Sequence, residues 1–583
     1  MADCPFNPSS ETIADFIYRS GNLQQIVENP EDIPCIDFVN DEYNIIYTPL
    51  DTVTPITLAK YSYFSIPGLF SLLDSTSMEV SGILSTFSAP ALSNRGRGTL
   101  IGIIDTGIDY TNPLFRYEDG STRIAGIWDQ SLPLDTESIP PGVSDLFEHS
   151  GAAYGTEFTR EQLNEALASD APLSVVPTTD TNGHGTFLAG IAAGASLPQQ
   201  DFTGAAPECE LVVVKLKQAK QYLRELYLVS SQADAYQEND IMMGIKYLQV
   251  TAYRLNRPLV ILITLGSNLG SHEGSSPLSS TIQDASRFLG RAAVIAGGNE
   301  TGLAHHYFGT IPAGQEWDDV EIRVGAQEAE RGFTLELWAT TTDTYSVGFI
   351  SPSGETISRI PIIARNETSI PFLLERTVIT VNYQLIESGS GRQLISMRFL
   401  HPAAGIWKVR VYNTQFFTGE FNMWLPSQGL ISDETVFLRP NPYTNITLPG
   451  NSATPITVSA YNHLNNSIYI HSSRGFTPSG LIKPELAAPG VDVSGPAVSR
   501  RNGGAVPMTT RSGTSVAAAH VAGAVANLYS WGIVERNLIS MSQATVKSYL
   551  IRGAKRNPAL SYPNEEWGYG ALDLYETFLS LRE

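Results

Sequence analysis

The sequence predicts an α/β fold: a parallel sheet with helices on both faces, preceded by a small N-terminal α+β unit and interrupted by an inserted antiparallel β domain. Three observations predict it. Short, wholly apolar runs recur with helix-like stretches between them. A long block of period-2 alternation interrupts the series. Some 75 residues with their own pattern precede the first apolar run.

The apolar runs are "TLIGII" (99–104), "LVVVKL" (211–216), "LVILIT" (259–264) and "AAVIA" (292–296). Runs apolar at every position suit strands covered on both faces, as in parallel sheets. Between the second and third, Ile241, Ile245, Leu248 and Ala252 share one face of a helix expected from Asp240. Strand alternating with helix implies right-handed crossovers and helices on both sides of the sheet. One α/β domain in two parts is therefore expected over 76–315 and 441–583. Residues 1–75 hold a helix-like "ETIADFIYRSG" and a strand-like "EYNIIYTPL". Across 316–440, segments such as "FTLELWAT" and "GIWKVRVYN" alternate between Gly, Pro, Ser and Asn turns. That pattern predicts a sandwich or jelly roll, with Trp317, Trp338, Trp407 and Trp424 available for its core.

Composition narrows the function. A net charge of -22 over 583 residues argues against a phosphate-binding surface, so no nucleic-acid partner is expected. No apolar stretch reaches 18 residues, so no membrane partner is expected either. The start lacks a basic region followed by an apolar one, and no signal peptide is expected. Cys4, Cys35 and Cys209 are odd in number and far apart, unlike a disulfide framework or a metal site. No acidic run has the pattern of a calcium loop, and no cofactor is predicted.

Three residues stand where chemistry is possible. Asp105 ends the first buried strand, at the carboxyl edge where open parallel sheets bind ligands. His184 lies in "DTNGHGTFLAGIAAG", between two glycines that should leave its ring accessible. Ser515 opens the small-residue run "SGTSVAAAHVAGA" at the expected mouth of a helix. A serine hydroxyl is a weak nucleophile until a base takes its proton. Histidine suits that task near neutral pH, and a buried carboxylate orients the imidazole and balances its charge. The helix N-terminus adds a backbone N–H and a favourable dipole for a developing oxyanion. A second donor is available in Asn299 of "AAVIAGGNE". His520 lies five residues after Ser515, about 140° round the helix, and is read as packing.

The chain order Asp, His, Ser is that of the subtilisins. "IGIIDTGID", "NGHGTFLAGIAAG", "AGGNE", "SSRGFTPSGLIKPELAAPG" and "SGTSVAAAHVAGA" together resemble the subtilase family of serine peptidases, and "WGYGALDLY" resembles its C-terminal signature. Ala519 and Phe187 depart from residues common in the family. The resemblance implies a subtilisin-like fold, Asp105, His184 and Ser515 as catalytic triad, and Asn299 in the oxyanion hole. It further implies that Thr264, Leu265 and Gly266 pair with an extended peptide substrate. Ala296, Gly297 and Gly298 then wall the primary specificity pocket, and their smallness predicts an open one.

Asn299 and Thr457 are 158 residues apart, far more than a small subtilase needs, and the β-rich block lies between them. With the N-terminal unit, this architecture resembles the Csp germination proteases of clostridial spores. That resemblance implies a prodomain over 1–75 as the chain's own partner, cut from the rest within about 68–80. It also implies a protein substrate, a spore-cortex hydrolase zymogen, and a cytoplasmic or spore-associated location. Its alternative is a Csp-type pseudoprotease that signals or binds without catalysis.

Overall fold

The computed structural model describes residues 6–19, 35–72, 80–87, 89, 92, 95–134, 154–363, 367–498 and 506–581. A nine-stranded sheet forms the centre. Its path runs Ser467–Ile468, Ile456–Asn462, Arg291–Ala296, Leu259–Ile263, Leu100–Asp105, Glu210–Lys215, Ile124–Asp129 and Thr156–Thr159, with Leu486–Pro489 also paired to Ile456–Asn462. All pairings are parallel except those of the two short strands Ser467–Ile468 and Thr156–Thr159. The four apolar runs are thus neighbouring strands, buried on both faces.

Side chains alternate across that sheet. Ile101, Ile103, Leu211, Val213, Val260 and Leu262 face one core with the helices His184–Ala193 and Thr514–Tyr529. Ile104, Val212, Val214, Leu259, Ile261 and Ile263 face the other, with the helix Glu238–Arg254. Ile13, Ile17, Ile45 and Tyr47 of the N-terminal unit join this second core. That unit is a three-stranded antiparallel sheet, Ile13–Arg19, Tyr43–Pro49 and Cys35–Phe38, with a short helix Leu50–Val53. "ETIADFIYRSG", expected to be helical, holds the strand Ile13–Arg19, whose β-rich run pairs along its whole length with Tyr43–Pro49. Cys35 is disulfide-bonded, which corrects the expectation from cysteine spacing: sequence separation says nothing of distance in the fold. Cys209 is a free, buried thiol, and Cys4 lies outside the described residues.

The inserted β domain is two antiparallel sheets of six and five strands, from His306–Thr310 to Val436–Phe437, so it begins before the expected residue 316. Their inner faces share a core of Leu335, Leu337, Val347, Phe399, Trp407 and Phe421 among others. Of the four tryptophans expected in that core, only Trp407 is there. In Phe333–Ala339, Leu335 and Leu337 point inward, so Glu336 and Trp338 face outward. Trp338 and Trp424 instead pack with Tyr63 of the N-terminal unit. Trp317 is 38% exposed beneath the Arg410 guanidinium.

Glu336 ties the three units together. Its Oε2 accepts from Tyr63 Oη (3.0 Å) of the N-terminal unit, Gly270 N (2.9 Å) of the α/β domain and Trp338 Nε1 (2.9 Å). Burial raises its pKa to about 7, against the opposing pull of these donors. A carboxyl whose folded pKa lies above its ordinary 4.5 contributes stability that is fully present below that value and lost as pH rises through about 7. The melting temperature should therefore fall between about pH 4.5 and 7, and Glu336→Gln, which mimics the neutral acid, should flatten that fall. Equal pH slopes for the two proteins would contradict this.

Candidate active site

Asp105 closes the strand Leu100–Asp105, and His184 opens the helix His184–Ala193 beside it. His184 Nδ1 lies 2.8 and 2.9 Å from the two carboxylate oxygens of Asp105. Thr106 N donates to Asp105 Oδ1 (2.7 Å) and Thr264 Oγ1 to Oδ2 (2.5 Å). Burial alone would raise the Asp105 pKa. The His184 charge and the bonds from His184, Thr264 and Thr106 outweigh it and hold the carboxyl below its usual range. An acceptor-only carboxylate at this position fixes Nδ1 as the protonated nitrogen of a neutral imidazole, leaving Nε2 to accept.

The glycines around His184 do not open its ring to solvent, as the sequence suggested: the residue is 1% exposed. They serve close approach. Gly183 takes φ +84° at the helix N-cap, and a Cβ on Gly185 would meet Gly107 O at 2.2 Å. Sequence reasoning also missed the clamp behind this loop. Asp180 Oδ1 accepts from Gly183 N and Thr106 Oγ1, and its Oδ2 accepts from Thr186 N and Oγ1. The visible signal was an aspartate four residues before the histidine, next to threonines.

Ser515 lies in the first turn of the helix Thr514–Tyr529, and its Oγ donates to Thr264 O at 3.5 Å. Thr264 therefore touches Asp105 with its side chain and Ser515 with its carbonyl. Asn299 follows the strand Arg291–Ala296, and its Oδ1 accepts from Thr514 N (3.0 Å). Because a backbone N–H can only donate, this bond sets the amide orientation and leaves Nδ2 as the outward donor. His520 is fully buried, Nδ1 against Val516 O at 2.7 Å, and burial lowers its pKa to about 4. It packs within the helix.

A segment of the chain itself lies along the groove. The strand Leu69–Leu72 pairs antiparallel with Leu265–Gly266, Leu72 opposite Leu265 and Ser71 opposite Gly266. On its other side Leu69 and Phe70 pair with Gln237 and Tyr236. The segment thus forms the middle strand of three, and it runs toward Thr264 and Ser515. Glu238 grips its start: Glu238 N donates to Gly68 O (3.0 Å) and Gly68 N to Glu238 Oε2 (3.3 Å).

Between the glycine walls the space is not open. A Cβ on Gly266 would lie 2.4 Å from Thr447 Oγ1, and one on Gly298 would lie 2.7 Å from Thr447 Cγ2. Thr447 is fully buried there, its N donating to Gly297 O at 3.0 Å. Thr447, 150 positions further on, thus packs in the space that three small residues were expected to leave open, which local sequence cannot reveal. Thr447→Gly should deepen it. The ratio of kcat/KM for a phenylalanine over an alanine at the residue before the cut should rise about tenfold. An unchanged ratio would place the floor elsewhere.

The subtilase family's sequence profile matches residues 96–358 and 438–570, more than half of the chain. The chain belongs to the subtilase family. It is similar to the CspB protease of Clostridium perfringens, with 31% identity and a TM-score of 0.74 over 86% of this chain and 97% of that one. It also resembles the PII-type proteinase of Lacticaseibacillus paracasei, 25% identical over 280 residues, which is 46% of this chain and 12% of that protein. Subtilisin-like protease SBT1.9 of Arabidopsis thaliana is 28% identical over 145 residues, 23% of this chain and 18% of that one. The match to this subtilase thus spans under a fifth of each of these two relatives' lengths. Among the described residues, no helix is long and apolar enough to cross a membrane.

Proposed function

We propose that this subtilase is a serine endopeptidase with Asp105, His184 and Ser515 as its triad. The observation that carries the reading is the convergence of three remote segments: a buried carboxylate on His184 Nδ1, and Ser515 on the Thr264 carbonyl beside that carboxylate's own donor. Ser515 Oγ attacks the scissile carbonyl while His184 Nε2 takes its proton, then returns it to the leaving amine. Water repeats the sequence to release the acyl group. Asn299 Nδ2 and the backbone N–H of Ser515 hold the oxyanion, and Thr264–Gly266 hold the peptide as an added strand.

The first substrate on this reading is the chain itself. The strand Leu69–Leu72 enters the groove in the antiparallel sense, and Leu72 stands one residue short of the position opposite Thr264. The bond cut would follow Leu72 within a residue or two, with residues 1 to about 72 acting as prodomain. Likeness to CspB along nearly its whole length supports a Csp-type role, limited proteolysis of a protein zymogen such as a spore-cortex hydrolase. A fluorophosphonate probe tests the chemistry. Labelling of the native protein but not of Ser515→Ala supports a peptidase, and no labelling of either supports a non-catalytic binding protein.

A further inference from the structure

Glu300, the residue directly after Asn299, is buried. Its Oε2 accepts from Asn268 Nδ2 (2.8 Å) and lies 2.8 Å from His305 Nδ1, while its Oε1 accepts from Gln428 N (3.0 Å). The three donors come from three separate segments. Asn268 lies two residues past the strand Leu265–Gly266, His305 directly precedes the strand His306–Thr310 that opens the inserted β domain, and Gln428 follows that domain's strand Glu420–Trp424. Asn268 and His305 are buried too, and among the described residues Asn268 Oδ1 and His305 Nε2 have no hydrogen-bond partner. Within those residues, the contact with Glu300 is the one side-chain hydrogen bond that either makes.

The backbone of Glu300 is held as well. Glu300 N donates to Ser473 Oγ (3.0 Å) and Ser473 N to Gly298 O (2.8 Å), so one serine bridges the residues on either side of Asn299. On the strand side the chain is Gly297-Gly298, with Gly298 at φ +106°, and two glycines supply little stiffness of their own. The Asn299 side chain makes a single hydrogen bond among the described residues, from Thr514 N to Oδ1. One bond sets the distance of the amide from the helix of Ser515 but leaves rotation about that contact. The aim of Nδ2 then depends on where the backbone holds the residue, and a donor for a transition state must be held to within about 0.5 Å.

We propose that Glu300 is a positioning residue for the oxyanion hole: its carboxylate, gripped by Asn268, His305 and Gln428, fixes the backbone from which Asn299 aims Nδ2 at the developing charge. This rests on the peptidase reading, with Asn299 as an oxyanion donor. It also gives the inserted β domain a part in catalysis, because His305 and Gln428 lie in the chain that flanks its strands. A donor released from this hold must reorient as charge develops, so the loss falls on the transition state more than on substrate binding.

The test is a double-mutant cycle on peptide hydrolysis by the full chain, with kcat and KM measured separately. Glu300→Gln keeps the shape but turns an NH₂ toward part of the donor set. It should lower kcat about tenfold and leave KM within about twofold of native. In an Asn299→Ala background the same change should cost less than about twofold, because the residue it positions is gone. A merely structural role predicts the same factor in both backgrounds. That result, or a native kcat for Glu300→Gln, overturns the positioning role while leaving Asn299 in the oxyanion hole. Where Glu300→Gln fails to fold, His305 decides. His305→Ala should lower kcat only while Asn299 is present, and His305→Asn, whose amide N–H stands near the place of Nδ1, should restore it. Equal losses in both backgrounds, or no rescue by asparagine, again overturn the proposal. A native kcat for Asn299→Ala overturns the oxyanion reading itself, and this proposal with it.

Discussion

Ser515→Ala is expected to remove peptide hydrolysis almost entirely, with kcat falling on the order of 10⁶-fold, and His184→Ala by a similar factor. The two act on one proton, so losing either leaves the other without a task, and the double variant should be little worse than the singles. Asp105→Asn should cost about 10⁴-fold. Thr106 N–H and Thr264 O–H each donate to one carboxylate oxygen, and His184 Nδ1 approaches both. An asparagine must turn its NH₂ toward part of this donor set. The imidazole is then driven to the tautomer with its proton on Nε2, which cannot accept the serine proton. Kinetics on a peptide substrate check the series. Near-full activity in Ser515→Ala would remove the serine from the mechanism.

Asn299→Ala carries the next largest effect, a loss of roughly 10²- to 10³-fold in kcat with little change in KM. The side chain is held through Oδ1 by Thr514 N, so its Nδ2 is preorganised and donates without reorientation when charge develops on the substrate oxygen. A raised KM with unchanged kcat would make Asn299 a ground-state contact instead. Asn299→Asp separates geometry from charge. It keeps the acceptor for Thr514 but sets a second acceptor where the donor stood, and should be at least as damaging as alanine.

The central sheet was legible because its strands are apolar at every position. The candidate triad was legible because each member sits in a short motif of glycine and small residues. What escaped was set by contacts between remote segments. The strand Ile13–Arg19 reads as a helix until Tyr43–Pro49 is there to pair with it. The accessibility of His184 was misjudged because Gly185 admits the Gly107 backbone and Gly183 lies against the Arg511 and Val498 side chains, leaving no way in for solvent. Thr447 fills a pocket whose walls lie far upstream, so no local pattern announces it. The outward tryptophans Trp338 and Trp424 carry the same alternation as the inward residues beside them. Tyr63 of the N-terminal unit, against Trp338, and His272 of the α/β domain, stacked on Trp424, explain why that face is apolar as well.

Intact mass of the purified protein beside its Ser515→Ala variant tests the account most directly. The native chain should appear as two fragments separated within a residue or two of Leu72, at a rate independent of protein concentration, since the strand already lies in its own groove. The variant should remain a single chain of full mass. Cleavage that persists in Ser515→Ala, or that quickens with concentration, would contradict it.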